Sequence, residues 1–358
     1  MEKQKDTLYV LNLITTPAFL VQEGHIAQLN TAAAQIMLEA GTSIEALLPD
    51  HLAELEGLQD GCIYLTLQHA EQMLGATAIP VNDGLLFVLS SEADQAELRA
   101  LALTAAGMRF PLAEMSQSAN NLKSVVESTG QSDALVPLAQ LNKQIYQLQR
   151  IIGNMSDAAQ YATGRRGHFS VRDITALVAE YFDHAKTLLA HSNLKLNYQL
   201  PSESILGLID ADLLERAVYN MLSNAAKFSK EGDTIHAGLS RKGQRLQLWV
   251  EDTGCGIPKP VLDTVFTRYQ RTPGIEEKRQ GLGLGMVMIR AAANTHRGTV
   301  LIVPTQSGTK IVLSFPIDQG RNVPLRSPSI PFDYAGERDH ALIELADVLP
   351  ASLYTDAF

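Results

Sequence analysis

The sequence predicts an α+β protein of several domains, and three observations carry that prediction. Short apolar runs bounded by turn residues fill the first ninety or so positions, apolar residues recur at three and four between about residues 91 and 161, and two glycine clusters follow residue 250. A chain of 358 residues with 46% apolar content is long enough to build two or three domains with real cores.

Residues 1–91 are read as a small α+β domain. A strand from Ala18 to Val21, a turn at Glu23-Gly24 and a strand from His25 to Leu29 lead to a helix capped by Asn30, whose side chain can accept a backbone N–H that the first turn leaves unpaired. Later strands are expected around Cys62 to Gln68, Gln72 to Pro80 and Leu85 to Leu89. This element order, with the Leu29-Asn-Thr-Ala-Ala33 stretch, is similar to a PAS domain. His25, His51 and His69 stand apart from one another and read as surface or packing residues, with no cofactor expected.

Residues 92–163 are read as a helical hairpin. One helix-forming segment runs from Ser91 to about Glu127, broken only by Gly107 and Pro111, and a second runs from about Leu135 to Tyr161. Leu98, Leu101, Leu112, Met115 and Leu122 in the first, and Leu138, Leu141, Ile145, Leu148, Ile151 and Ile152 in the second, have the spacing of packed helices. Two copies of such a hairpin make a four-helix bundle, so a homodimer is expected, the alternative being a hairpin packed within its own chain on the other domains.

Residues 164–318 carry the chemistry. Glycines in Asp252-Thr-Gly-Cys-Gly-Ile-Pro258 and Gly281-Leu-Gly-Leu-Gly285 let the backbone reach positive φ and approach phosphates, while a buried Asp252 can accept the exocyclic amino proton of adenine. Gly283 inside a helix would cost about 1 kcal/mol, so the second cluster marks a loop opening into a helix from Met286 to Asn294, whose start suits phosphate. Upstream, Glu215 to Ser229 has helical spacing that brings Asn220, Asn224 and Lys227 near one face. An amide oxygen at Asn224 can join the oxygen ligands of Mg²⁺, which binds mainly through phosphates and water, and Lys227 can neutralise phosphate charge.

These pieces, in this order, resemble the ATP-binding domain of sensor histidine kinases, within the wider superfamily of gyrase, Hsp90 and MutL, over roughly residues 168 to 317. The resemblance implies an α/β sandwich with ATP and Mg²⁺ as cofactors and ATP-dependent protein-histidine kinase activity as the family's reaction. It implies that Asn220, Asn224 and Lys227 hold metal and phosphates, with Asn224 as the metal ligand, and that Asp252 reads adenine beside Gly254, Gly256 and Ile257. Gly281, Gly283 and Gly285 would form the lid, Val265-Phe-Thr-Arg-Tyr269 the aromatic segment with Tyr269 at the nucleotide, and Gly308-Thr309 the closing element.

The hairpin resembles the family's dimerisation and phosphoacceptor domain, and there the sequence departs from the pattern. The family's first helix carries His-Glu-x-x-Thr (or Asn)-Pro-Leu. Aligning Pro111-Leu112 places Ala106 at the histidine, Gly107 at the acid and Phe110 at the Thr or Asn. Phosphotransfer needs an imidazole nitrogen to attack the γ-phosphate in line and a carboxylate to hold that imidazole and accept its proton; methyl, hydrogen and phenyl groups do neither. His168, His184 and His191 lie outside the bundle helix, and Thr104, Ser116 and Ser118 lack an adjacent base.

Three readings follow. The chain is a sensor-kinase relative that binds ATP and controls a partner without phosphorylating itself, or an active kinase donating phosphate in trans to a partner, or a gyrase- or Hsp90-type ATPase. The last lacks support, because Asn220 stands where those proteins place the glutamate that activates water, and neither Glu215 nor Glu231 has the spacing to replace it.

The net charge of −10 argues against nucleic acid or an anionic membrane as main partner, and the short basic groups at Arg165-Arg166 and Arg268 to Arg271 read as solvated faces. Cys62 and Cys255 have neither metal nor disulfide spacing, which suits a reducing compartment. Leu8 to Val21 and Leu85 to Leu89 are too short to span a bilayer, so a cytoplasmic protein is expected, with a response regulator or partner kinase as its target. In the tail, residues 319–358, Arg321 to Asp333 should be extended and Glu337 to Val348 amphipathic, with Leu342, Leu345 and Leu349 on one side. Such a tail is a packing appendage, a regulator docked on its own catalytic domain, or a site for a response regulator.

Overall fold

A single ten-stranded sheet runs through both regions that the sequence separates into a first and a third domain. The computed structural model describes residues 11–69, 72–82, 84–90, 92–162, 167–257, 284–318 and 339–355. The N-terminal part contributes β1 (Ala18–Gln22), β2 (His25–Leu29), α1 (Thr31–Gln35), α2 (Ile44–Leu47), α3 (Leu52–Glu56), β3 (Cys62–His69), β4 (Gln72–Val81) and β5 (Gly84–Leu89). Its strands lie in the order β2-β1-β5-β4-β3, each antiparallel to its neighbour. Asn30 fixes the start of this unit: its Oδ1 accepts from Ala33 N, capping α1, and from Ala18 N on β1, while its Nδ2 donates to the carbonyls of Ile14 and Thr16. Phe19 and Phe87 stack across the buried face at 5.0 Å between ring centroids.

The hairpin consists of α4 (Glu92–Thr129), a 3₁₀ turn at Ser132–Ala134 and α5 (Leu135–Ala162). The expected breaks at Gly107 and Pro111 do not occur, and α4 is continuous through both. Pro111 forfeits one ladder bond and crowds the carbonyl four residues earlier, which is that of Gly107, in open surroundings. Packing on both sides of the proline holds the helix: Ala105, Leu112 and Ala119 bury against Ile145, Ile152 and Met155 of α5.

The C-terminal part begins with β6 (Ser170–Asp173), α6 (Ile174–Ala190), β7 (Lys195–Gln199), β8 (Leu206–Ile209) and α7 (Ala211–Phe228). It continues with β9 (Thr234–Lys242), β10 (Arg245–Glu251), α8 (Leu284–Thr295), β11 (Thr299–Pro304) and β12 (Thr309–Pro316). Strands β11, β12, β10, β9 and β7 lie side by side, with β7 and β9 parallel, and β6 pairs separately with β8. Alternate residues of β10, Leu246, Leu248 and Val250, turn inward. They share a core with Phe182 and Leu189 of α6, Met221 and Leu222 of α7 and Ile289 of α8, so helices cover one sheet face.

Strand β3 pairs with β11 through Tyr64–Val300, Ile63–Leu301 and Cys62–Ile302, joining the two halves of the sheet. Gly61 makes the join sterically feasible, since a Cβ there would stand 2.0 Å from the Ile302 carbonyl oxygen and its φ is +91°. Glu54 of α3 adds a polar clamp: Oε1 lies 2.9 Å from Arg245 Nε and accepts from Ser314 and Thr299 hydroxyls at 2.9 and 3.1 Å. Burial alone would raise the Glu54 pKa, but His51, Arg245 and Ser314 outweigh it and hold the carboxyl below its ordinary value. Tyr64 also reaches α8, where Arg290 sits over its ring at 4.4 Å and Asn294 Nδ2 donates to its hydroxyl at 2.9 Å.

The tail forms a shorter helix than its amphipathic pattern predicts, α9 (His340–Glu344), followed by a 3₁₀ turn at Ala351–Tyr354. Asp339 caps α9 through Ala341 N, and Pro350 lies just before the 3₁₀ turn. Leu345 and Leu349 are buried and Leu342 is half-buried, so the apolar side still faces the core.

Candidate functional site

Helix α7 starts at Asp210, whose Oδ1 accepts from Leu213 N at 3.1 Å. A buried histidine holds that cap in turn: His296 Nε2 accepts from Asp210 N at 3.0 Å and Nδ1 donates to Ala292 O at 2.8 Å, an arrangement that requires the neutral ring. Burial pushes the His296 pKa down, in agreement with that tautomer. Both nitrogens are therefore engaged in positioning helices.

From this fixed start, Asn220, Asn224 and Lys227 follow along α7. Gly285 of α8 lies opposite them, and a Cβ on it would stand 2.8 Å from Asn220 Oδ1 and 3.7 Å from Asn224 Oδ1. The second predicted group gathers at the end of β10. Asp252 Oδ1 accepts from Gly254 N at 2.8 Å, and Asp252 N donates to Thr309 O at 3.0 Å. Gly254 packs where a Cβ would meet the Phe228 carbonyl oxygen at 2.3 Å, tying this turn to the end of α7. Gly256 has φ +68°, and Ile257 packs partly against the main core. Burial pushes the Asp252 pKa up, against backbone hydrogen bonds from Gly254 and Thr309 that pull it down. The arrangement brings a desolvated carboxylate, two amide side chains, a lysine and the start of a helix to one end of the sheet. Tyr269, Gly281 and Gly283, with the rest of the aromatic and lid segments, lie outside the described residues.

Sequence reasoning missed a buried polar cluster around Asn220. Arg150 of α5 donates from Nη2 to Asn220 Oδ1 at 3.0 Å, and Asn220 Nδ2 donates to Arg216 O and to Glu344 Oε2 at 2.8 and 3.1 Å. Arg216 donates to Glu344 and Asn154 and pairs with Asp157. Arg150 also pairs with Glu344 at 3.2 Å and Asp347 at 2.6 Å, and Asp347 lies 2.5 Å from Lys227 Nζ. Three cations thus face three carboxylates drawn from the hairpin, α7 and the tail. Arg216 precedes Asn220 by one helical turn and so shares its face, which was readable from spacing. The contributions of Arg150, Glu344 and Asp347 come from distant segments and were not.

On α4, Ala106, Gly107 and Phe110 are exposed. The chain has no histidine between residues 92 and 162. His184 pairs with Asp339 of the tail at 3.1 Å, His168 and His191 are exposed, and the hydroxyls of Thr104 and Ser118 donate to carbonyls of their own helix.

Residues 209–319, which span α7, the Asp252 turn, α8 and the last two strands, match the family described as "Histidine kinase-, DNA gyrase B-, and HSP90-like ATPase". This chain therefore carries the ATPase domain that histidine kinases share with DNA gyrase B and HSP90, and it is similar in sequence to sensor histidine kinases. Among its relatives is the hybrid signal transduction histidine kinase D of Dictyostelium discoideum, 28% identical over 45% of this chain and 11% of that kinase. The sensor protein KdpD of Escherichia coli is 26% identical over 74% of this chain and 28% of the relative. The chain thus spans about a tenth to a quarter of the length of these two kinases. A full-length ShkA structure in complex with AMPPNP is 18% identical, covering 64% of this chain and 47% of that one with a TM-score of 0.49. Beyond the matched residues, the chain carries the N-terminal strands, the hairpin and the docked tail.

Proposed function

We propose that this chain is a cytoplasmic sensor protein of two-component signal transduction that binds ATP with Mg²⁺ and does not phosphorylate itself on its hairpin. Asp252 would take the adenine amino group, with Gly254, Gly256, Ile257 and Thr309 around it and Tyr269 and the lid glycines completing the pocket. Lys227 would meet phosphate. Asn220 Oδ1 already accepts from Arg150, whereas Asn224 is half-buried with its Oδ1 toward Gly285, so Asn224 is the amide that fits Mg²⁺. The metal, when bound, would offset phosphate charge.

One contrast supports the reading: Gly285 lies beside Asn220 and Asn224 and the Asp252 turn packs on the end of the same helix, while the hairpin offers Ala106, Gly107 and Phe110 where the family needs an imidazole, a carboxylate and a polar side chain. A protein so built can use nucleotide and its N-terminal, PAS-like unit to set the hairpin's conformation and so control a response regulator or partner kinase. No helix among the described residues is long and apolar enough to cross a membrane. Calorimetric titration of ATP with Mg²⁺ tests the pocket. Saturable binding should weaken by roughly ten- to a hundredfold in Asp252→Asn, the loss of one hydrogen bond to a charged acceptor. Equal affinity in wild type and variant would remove Asp252 from the site.

A further inference from the structure

The phosphate-facing residues of the proposed pocket are already in contact with carboxylates from the chain's own tail. Glu344 Oε2 accepts from Asn220 Nδ2 at 3.1 Å, and Asp347 Oδ2 lies 2.5 Å from Lys227 Nζ. Arg150 bridges the two acids, and Arg216 Nε holds the second oxygen of Glu344 at 3.2 Å. Negatively charged oxygens set against a lysine, an amide N–H and guanidinium groups are what a triphosphate would also present. Lys227 and Asn220 cannot give the same donors to both, and phosphate placed beside Asp347 would meet like charge.

Two features separate this contact from simple packing. Glu344 is fully buried, and a buried ion cluster is often no more stabilising than apolar side chains of the same volume, so charge at this position is costly unless it has a role. Apolar residues also anchor the segment, with Ile343 and Ala346 buried beside the acids. Leu345, Leu349 and Tyr354 are fully buried, the Tyr354 ring meets Tyr146 of α5 edge-on at 5.0 Å, Asn142 Nδ2 donates to Tyr354 O, and Ser192 Oγ donates to Val348 O. Leu349 and Tyr354, C-terminal to both acids, can stay anchored while the stretch that carries the acids leaves.

We infer that residues 339–355 form an autoinhibitory strap whose Glu344 and Asp347 compete with nucleotide phosphate for Lys227, Asn220 and Arg150. The inference rests on the nucleotide reading above. Because linkage is reciprocal, a strap that weakens ATP binding must itself be loosened by ATP.

The test uses the full chain, with Asp347→Asn, Glu344→Gln and the double variant, titrated with ATP and Mg²⁺ and followed by hydrogen exchange of residues 339–355. Asp347→Asn should bind ATP roughly tenfold more tightly than wild type, within the usual range of coupling between sites. Saturating ATP should speed amide exchange in the wild-type strap. Asp347 is less buried than Glu344, so its variant carries the test even where Glu344→Gln fails to fold. The exchange measurement reads displacement itself, separately from any general gain in affinity on removing an acid. Wild-type binding with no gain in Asp347→Asn and no change in strap exchange would overturn the strap alone. No binding by wild type or any variant would overturn the pocket reading, and the strap with it.

Discussion

At Asp252 burial opposes the charge that its proposed adenine contact would use. Its burial disfavours the ionised form, and its folded pKa is raised above the ordinary 3.8. For a carboxyl shifted in that direction, the stabilising contribution is present below the ordinary pKa and is lost as pH rises through the raised folded value. When ionised, this carboxyl is a desolvated charge that folding alone does not require. Asp252→Asn removes that charge and keeps an oxygen to accept from Gly254 N. The variant should melt no lower than wild type at pH 7 and lose the wild type's decline in stability over the pH range just above 3.8, while binding ATP poorly. A lower melting temperature at neutral pH, measured by calorimetry, would mean that the charge stabilises the fold.

At the scale of elements, the join between β3 and β11 is the feature with the largest consequence, because it ties the N-terminal unit to the strand that follows α8. Gly61→Ala would place a methyl group 2.0 Å from the Ile302 carbonyl oxygen in a backbone conformation that side chains rarely adopt. The expected cost is about 2 kcal/mol or more, read as a lower urea midpoint, and an unchanged midpoint would mean that the join is dispensable. This pairing was not legible in the sequence, since β3 looks like any edge strand and nothing local names its neighbour. The Asn30 cap, the helix carrying Asn220, Asn224 and Lys227, and the turn at Asp252 were legible, because caps, helical spacing and glycine turns are local signals. Pro111 misled for the opposite reason: its local preference is to break a helix, and packing of Leu112 and Ala119 against α5 overrides it. The tail's acids were visible, but only the fold shows that they meet Arg150 and Lys227.

At the scale of the whole molecule, the hairpin's apolar pattern divides between two faces. Leu112, Leu138, Ile145 and Ile152 are buried within the chain, whereas Leu103, Phe110, Leu122, Val125 and Val136 remain more than half exposed. An outer face this apolar suits a second copy of the hairpin. Sedimentation should give twice the 39.0 kDa chain mass, and the double variant Leu122→Glu, Val125→Glu should sediment as a monomer. A wild-type monomer would require another partner for that face.

The proposal is that a chain carrying a histidine-kinase-like ATPase domain keeps a working nucleotide pocket and has no phosphoacceptor on its hairpin. Incubation of the purified chain with γ-labelled ATP and Mg²⁺, followed by acid treatment of the labelled bands, tests it most directly. ATP binding with no acid-labile label on this chain is the expected result. Acid-labile phosphate on the chain alone would contradict it and assign the acceptor to a histidine outside the hairpin.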